Sequence, residues 1–206
     1  MSRKQLLTIG AISVTALVAV GVYAFQARTP GNGSAIDPVA EDPGTAAIAM
    51  STRVERGSYL VKIMLCNDCH TPWAMTPNGP EPDMTRELSG HPEDLVVTSV
   101  PDLGDGPFNW AGAGTMTAFA GPWGVSFTAN LTPDPETGLG KWTEETFIAA
   151  IRSGRHEGQG RPILPPMPYP WFRNATDEDL SAVFAYLQSI RPIRNRVPQP
   201  IEPQVQ

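Results

Sequence analysis

Cys66-Asn67-Asp68-Cys69-His70 decides how this chain is read, and its two cysteines are the only ones in the 206 residues. Two thiols three residues apart on one helical turn can add to the two vinyl groups of a porphyrin, and the histidine that follows aims its imidazole at the iron. This is the attachment spacing of a c-type haem, one group bound covalently. Chance occurrence of the pentapeptide in a chain of this composition is rare. A structural zinc site needs four ligands, and only His91 and His156 remain, neither at finger-like spacing. A thioredoxin-like pair would open a helix after a buried strand; here a segment of helical periodicity precedes the cysteines.

Upstream of the motif, Val54, Gly57, Val61, Met64 and Leu65 fall on one helical face. Glycine inside a helix costs about 1 kcal/mol relative to alanine, so Gly57 on the apolar stripe predicts a close crossing by another backbone. Thr176 followed by Asp177, Glu178 and Asp179 is an N-cap with acids in the first turn. It opens a helix to about Ile190, with Leu180, Val183, Phe184, Leu187 and Ile190 on one side and Pro192 as its stop. A third helix begins at Thr143-Glu144-Glu145, carries Phe147, Ile148 and Ile151, and ends before Gly154. The helix before the motif and the one near the C-terminus are expected to pack together. No strand-rich region is read, and the remainder is expected to be loop rich in proline and glycine.

At the N-terminus, Arg3 and Lys4 precede an uncharged run from Leu6 to Phe25. It has the length of a membrane-spanning helix, or it is a secretory signal cut after Val22-Tyr23-Ala24; residues 1–25 are read as anchor or signal. Either reading exports the rest to the periplasmic side of a bacterial inner membrane. Residues 26–50, broken by Pro30, Gly31, Gly33, Pro38, Pro43 and Gly44, read as a flexible linker, and residues 51–206 as one folded domain. The net charge is −6. Arg3 and Lys4 lie in the N-terminal run and no acid does, so the remainder is more acidic still. That balance argues against nucleic acid and favours partners with basic patches.

A second axial ligand is sought among the methionines and the two other histidines. Met167 stands in Leu164-Pro165-Pro166-Met167-Pro168-Tyr169-Pro170-Trp171, where prolines hold the backbone extended and stiff around a thioether. His156 reads as a surface or supporting residue, and His91 is less favoured still. Met64, Met75, Met84 and Met116 lack a rigid frame. His70 with Met167 would close both faces of the iron and raise its potential relative to two histidines.

The order of Cys66–Pro72, then Phe127-Thr128-Ala129-Asn130-Leu131-Thr132-Pro133-Asp134-Pro135-Glu136-Thr137-Gly138-Leu139-Gly140-Lys141-Trp142-Thr143, then the Met167 loop and the Thr176–Ile190 helix resembles the class I-like cytochrome c family. More narrowly, it is similar to the cytochrome c domains of membrane-bound dehydrogenase cytochrome subunits. The resemblance covers most of residues 53–198. It implies an all-α cytochrome c domain, with Cys66 and Cys69 as thioether sites, His70 as proximal ligand, Met167 as distal ligand, and Trp142 and Asn130–Thr132 near the haem. Residues 71–126 form a long insertion for such a domain. Trp73, Trp110 and Trp123 predict that it folds over the domain, and its acidic residues, Asp102 and Asp105 among them, suggest either a solvated face or a docking surface for a basic partner.

Electron transfer between a dehydrogenase and a downstream acceptor is the function these readings favour, with no catalytic residue. The alternatives are a haem enzyme acting on peroxide or nitrogen oxides through a labile sixth ligand, and a haem sensor.

Overall fold

The computed structural model describes residues 43–104 and 106–203. The apolar run Leu6–Phe25, most of the expected linker, and Asp105 lie outside the described residues.

Three helices make an apolar frame. α1 spans Pro43–Ile63, α3 Glu144–Ser153 and α5 Asp177–Ser189. Leu60, Val61, Phe147, Ile151, Leu180, Val183, Phe184 and Leu187 close one core between them, and the Phe147 and Phe184 rings lie 5.5 Å apart. α1 and α5 form the main helix pair, as expected. A Cβ on Gly57 would overlap the Ala182 carbonyl, with its carbon at 2.6 Å, so the close crossing read from that glycine is present. The caps fall where the sequence puts them. Thr143 accepts from Thr146 N at 3.2 Å, Thr176 accepts from Asp179 N at 3.1 Å, and Gly154 closes α3 in the left-handed region at φ 67°.

Pro43 and Gly44 do not break a regular element; they open α1. Proline is accommodated in a first helical turn because its missing N–H would have no partner there.

The expectation of an all-α domain with a strandless insertion is overturned; the anchor or signal expected before it falls on residues 1–25, outside the described residues. Two antiparallel sheets lie in the insertion: β1 (Trp73–Thr76) with β2 (Gly79–Pro82), and β3 (Ala111–Gly112), β4 (Ala118–Gly121) and β5 (Gly124–Phe127) in the order β3-β4-β5. Among the described residues no helix is long and apolar enough to cross a membrane. The strands escape a periodicity reading for physical reasons. β2 carries Pro80 and Pro82, which suit only an edge strand. The first three residues of both β4 and β5 are buried, so neither alternates between polar and apolar.

The insertion nevertheless folds onto the domain. Trp73 N donates to Thr115 O at 2.9 Å, and Trp110 stacks obliquely on Phe119 at 6.3 Å. Polar side chains clasp it. Asn195, buried, donates to Ser89 O at 2.7 Å and His91 O at 2.8 Å, and accepts from Glu93 N at 2.9 Å. Further along the C-terminal strap, Val125 and Ile201 exchange backbone hydrogen bonds of 2.8 and 2.9 Å.

Candidate haem site

α1 does not run straight into the motif. Leu65 adopts left-handed φ 59° and reverses the chain, and α2 (Cys66–His70) follows as a single turn. Positions separated by three and four residues share a helical face, so this turn groups Cys66, Cys69 and His70. Both cysteines are free thiols and partly buried. Burial pushes the Cys66 thiol up to about 12, and Cys69 is raised for the same reason. Both therefore stand as protonated thiols.

His70 is buried, and its Nδ1 donates to the Ala129 carbonyl at 2.8 Å. Burial lowers its pKa, against that hydrogen bond, so the ring is neutral. With Nδ1–H committed to a carbonyl, the Nε2 lone pair is left as the metal-binding nitrogen. The Ala129 backbone is itself wedged in place. Gly90 N donates to His70 O at 2.8 Å and His91 N to Thr128 O at 3.0 Å. Gly90 has φ +77°, and a Cβ there would stand 2.6 Å from Ala129 C. Only glycine lets the insertion press so closely on the histidine's support.

Met167 lies half-buried in the loop before α4 (Tyr169–Phe172), and packs against the same apolar core as Cys66, Leu131 and Trp142. The loop is tied to β5 by Ser126 Oγ, which donates to Pro165 O at 2.6 Å. The backbone is not extended throughout as expected: Pro165 and Pro166 form a turn with a cis peptide bond, and at Pro168 the chain enters α4. Among the rival ligands, Met64 packs against that same core. His91 is buried with both nitrogens engaged, Nε2 to Leu95 O at 2.9 Å and Nδ1 to Thr117 Oγ1 at 3.1 Å. His156 is exposed, edge-on to Trp142 at 5.2 Å. Met75 and Met84 are exposed. Among the described residues no three of His, Cys, Asp and Glu gather to hold a metal ion.

The donor set fits a haem: two protonated thiols on one turn, an oriented neutral imidazole, and a thioether on the same apolar core. Asn130 and Thr132, near the haem by resemblance, serve as a knot. Asn130 Oδ1 accepts from Thr132 N and Oγ1 at 3.0 and 2.7 Å, and its Nδ2 donates to Ile193 O at 2.8 Å. Sequence reading missed the Ala129 carbonyl, Gly90 and Asn195. A backbone acceptor leaves no side-chain signal; Gly90, beside His91-Pro92, is the one that could have been suspected.

The turn Cys66–His70 has the attachment spacing of a c-type haem. No family model matches the chain. It is 28% identical over 148 residues to the cytochrome c subunit of alcohol dehydrogenase (quinone) from Gluconobacter oxydans, covering 70% of this chain and 23% of that protein. It is 29% identical over 150 residues to the fructose dehydrogenase cytochrome subunit of Gluconobacter japonicus, covering 72% and 24%. A 75-residue stretch is 36% identical to the gluconate 2-dehydrogenase cytochrome c subunit of Pantoea cypripedii, 36% of this chain and 17% of that protein. The chain thus spans less than a quarter of these relatives' lengths. These three relatives bear the names of cytochrome c or cytochrome subunits of dehydrogenases.

Proposed function

We propose that this chain carries one haem c and passes single electrons from a dehydrogenase to a downstream acceptor on the periplasmic side of the membrane. Cys66 and Cys69 form the thioethers, and His70 Nε2 and Met167 Sδ close the iron's two faces. The observation that carries this reading is the 2.8 Å bond from His70 Nδ1 to the Ala129 carbonyl, which leaves the other ring nitrogen for a metal at the end of the two-thiol turn. Haem supplies the one-electron couple, with a methionine ligand favouring the reduced state.

The protein's part is orientation and exclusion. Ala129 fixes the tautomer and plane of His70. The core from Leu60, Val61, Leu139 and Leu180 forms an apolar wall that keeps water away. A single CxxCH supports one haem. The printed names of the relatives support a dehydrogenase as donor, and Arg3-Lys4 before an apolar run supports export. The acidic balance supports a protein partner over nucleic acid.

Mass spectrometry of the exported holoprotein is expected to show one added haem. Its oxidised spectrum is expected to contain the long-wavelength sulfur-to-iron charge-transfer band, absent from Met167→Ala with the covalent haem retained. Persistence of that band in Met167→Ala, or ready carbon monoxide uptake by the reduced wild type, would overturn the ligand assignment.

A further inference from the structure

Between His91 and β3 the chain runs for a long stretch in which the described residues form neither helix nor strand. Loops of this length inside a compact domain are uncommon and are most often functional or disordered. This one is fastened at both ends. At its start, both nitrogens of buried His91 are engaged and the Glu93 amide is held by Asn195. At its far end, Trp110 lies against Phe119, and Ala111 pairs with Ala120.

What it shows to solvent is unusual for a connection. Val96 is 74% exposed, Phe108 79% and Trp110 52%. Single exposed apolar residues are ordinary, but several large ones on one anchored segment mark an interaction surface. The same segment carries Glu93, Asp94 and Asp102, and residues 92–110 contain no lysine, arginine or histidine. Asp94 meets Arg86 loosely at 3.8 Å, and the Asp102 carboxylate accepts from Gly104 N at 2.9 Å, with no ion pair among the described residues.

We infer that the described residues between 92 and 110 are a docking arm for a redox protein whose contact face is basic around an apolar centre. Phe108 and Val96 provide the buried anchors and the carboxylates the steering rim. The electrostatics choose this occupant: an acidic partner would be repelled, and a second copy of this chain would set like charges together. The base of the arm is where the structure ties it to the haem site. Gly90 N bonds the His70 carbonyl, and His91 N bonds Thr128, beside the carbonyl that orients the His70 ring. A protein seated on the arm is held by the segment that braces the iron's histidine. The inference rests on the proposed electron-carrier function and adds the surface through which it works.

The test uses the full-length holoprotein and, as probe, a small mitochondrial-type cytochrome c with a lysine-rich face, with electron exchange followed by stopped flow at low and high ionic strength. Asp102→Lys and Phe108→Ala are each expected to slow exchange by about tenfold at low salt. Asp102→Lys should also flatten the salt dependence. Glu55→Lys makes the same charge change on α1 and should leave the rate within about twofold. A small uncharged quinol, which needs no docking, should reduce all variants alike. Unchanged rates in Asp102→Lys and Phe108→Ala, or an equal loss in Glu55→Lys, would overturn the arm while leaving the carrier intact. Failure of the wild type to cycle even with the quinol would sink the carrier function itself.

Discussion

The helical frame and the insertion are held together by different forces. α1, α3 and α5 close over leucine, isoleucine, valine and phenylalanine side chains, where the contribution is spread over many weak contacts. Residues 71–127 give Leu88 to that core and bury Phe119 and Val125 besides, but their loops are fixed by particular polar bonds from Asn195, His91 and Ser126. A frame built by burial tolerates many substitutions and gives way to shape. A region built by individual hydrogen bonds depends on single atoms.

That difference is sharpest at Gly57. Gly57→Val would drive a side chain into the Ala182 carbonyl. The obstacle is backbone, so the loss is expected to exceed the usual overpacking range, at about 4 kcal/mol, read from guanidinium unfolding of the ferric holoprotein. A stability within 1 kcal/mol of wild type (about the size of an ordinary substitution) would show that the two helices do not meet as described.

Asn195→Ala tests the other region. It strands the Ser89 and His91 carbonyls and the Glu93 amide, and about 3 kcal/mol of stability should be lost with them. Amide exchange is expected to quicken in 89–93 and leave α1 and α5 protected. Uniform quickening across the helices would mean that insertion and frame are one cooperative unit.

The smallest effect concerns pH. Burial lowers the pKa of His91 from its ordinary 6.5, more than its bonds to Leu95 and Thr117 raise it; Arg86 lowers it further and Asp94 opposes. The unfolded chain therefore binds the proton more readily than the folded one. The stability this neutral ring provides is complete above pH 6.5 and falls as pH drops toward the lower folded value. His91→Gln should lack that part of the decline. An identical pH profile in the variant would remove His91 from the clasp.

The frame was legible because its signals are local and repeated: an apolar stripe, a threonine cap with acids behind it, and Gly57 where no side chain fits. The Cys66–His70 turn was legible for the same reason, since all its chemistry lies within five residues. The sheets were not. β4 and β5 are buried without alternation and β2, largely exposed, holds two prolines, so no period is left to detect. The acceptor of the His70 proton lies 59 residues away and is a main-chain oxygen, which any residue would supply. Asn195 gave no sign because its partners, at separations above one hundred residues, are again backbone.

The C-terminal strap sets an order of events. Part of what fixes the surroundings of α2, Asn195 on Ser89 and His91 and the Ile193 carbonyl on Asn130 and Thr132, is made from chain synthesised well after the motif. Cys66 and Cys69 emerge long before it. Both thiols are therefore made before the bonds that fix Ser89, His91 and Asn130 can form. The insertion is thereby pinned to the rest of the domain only after the whole of the Cys66–His70 turn has been made.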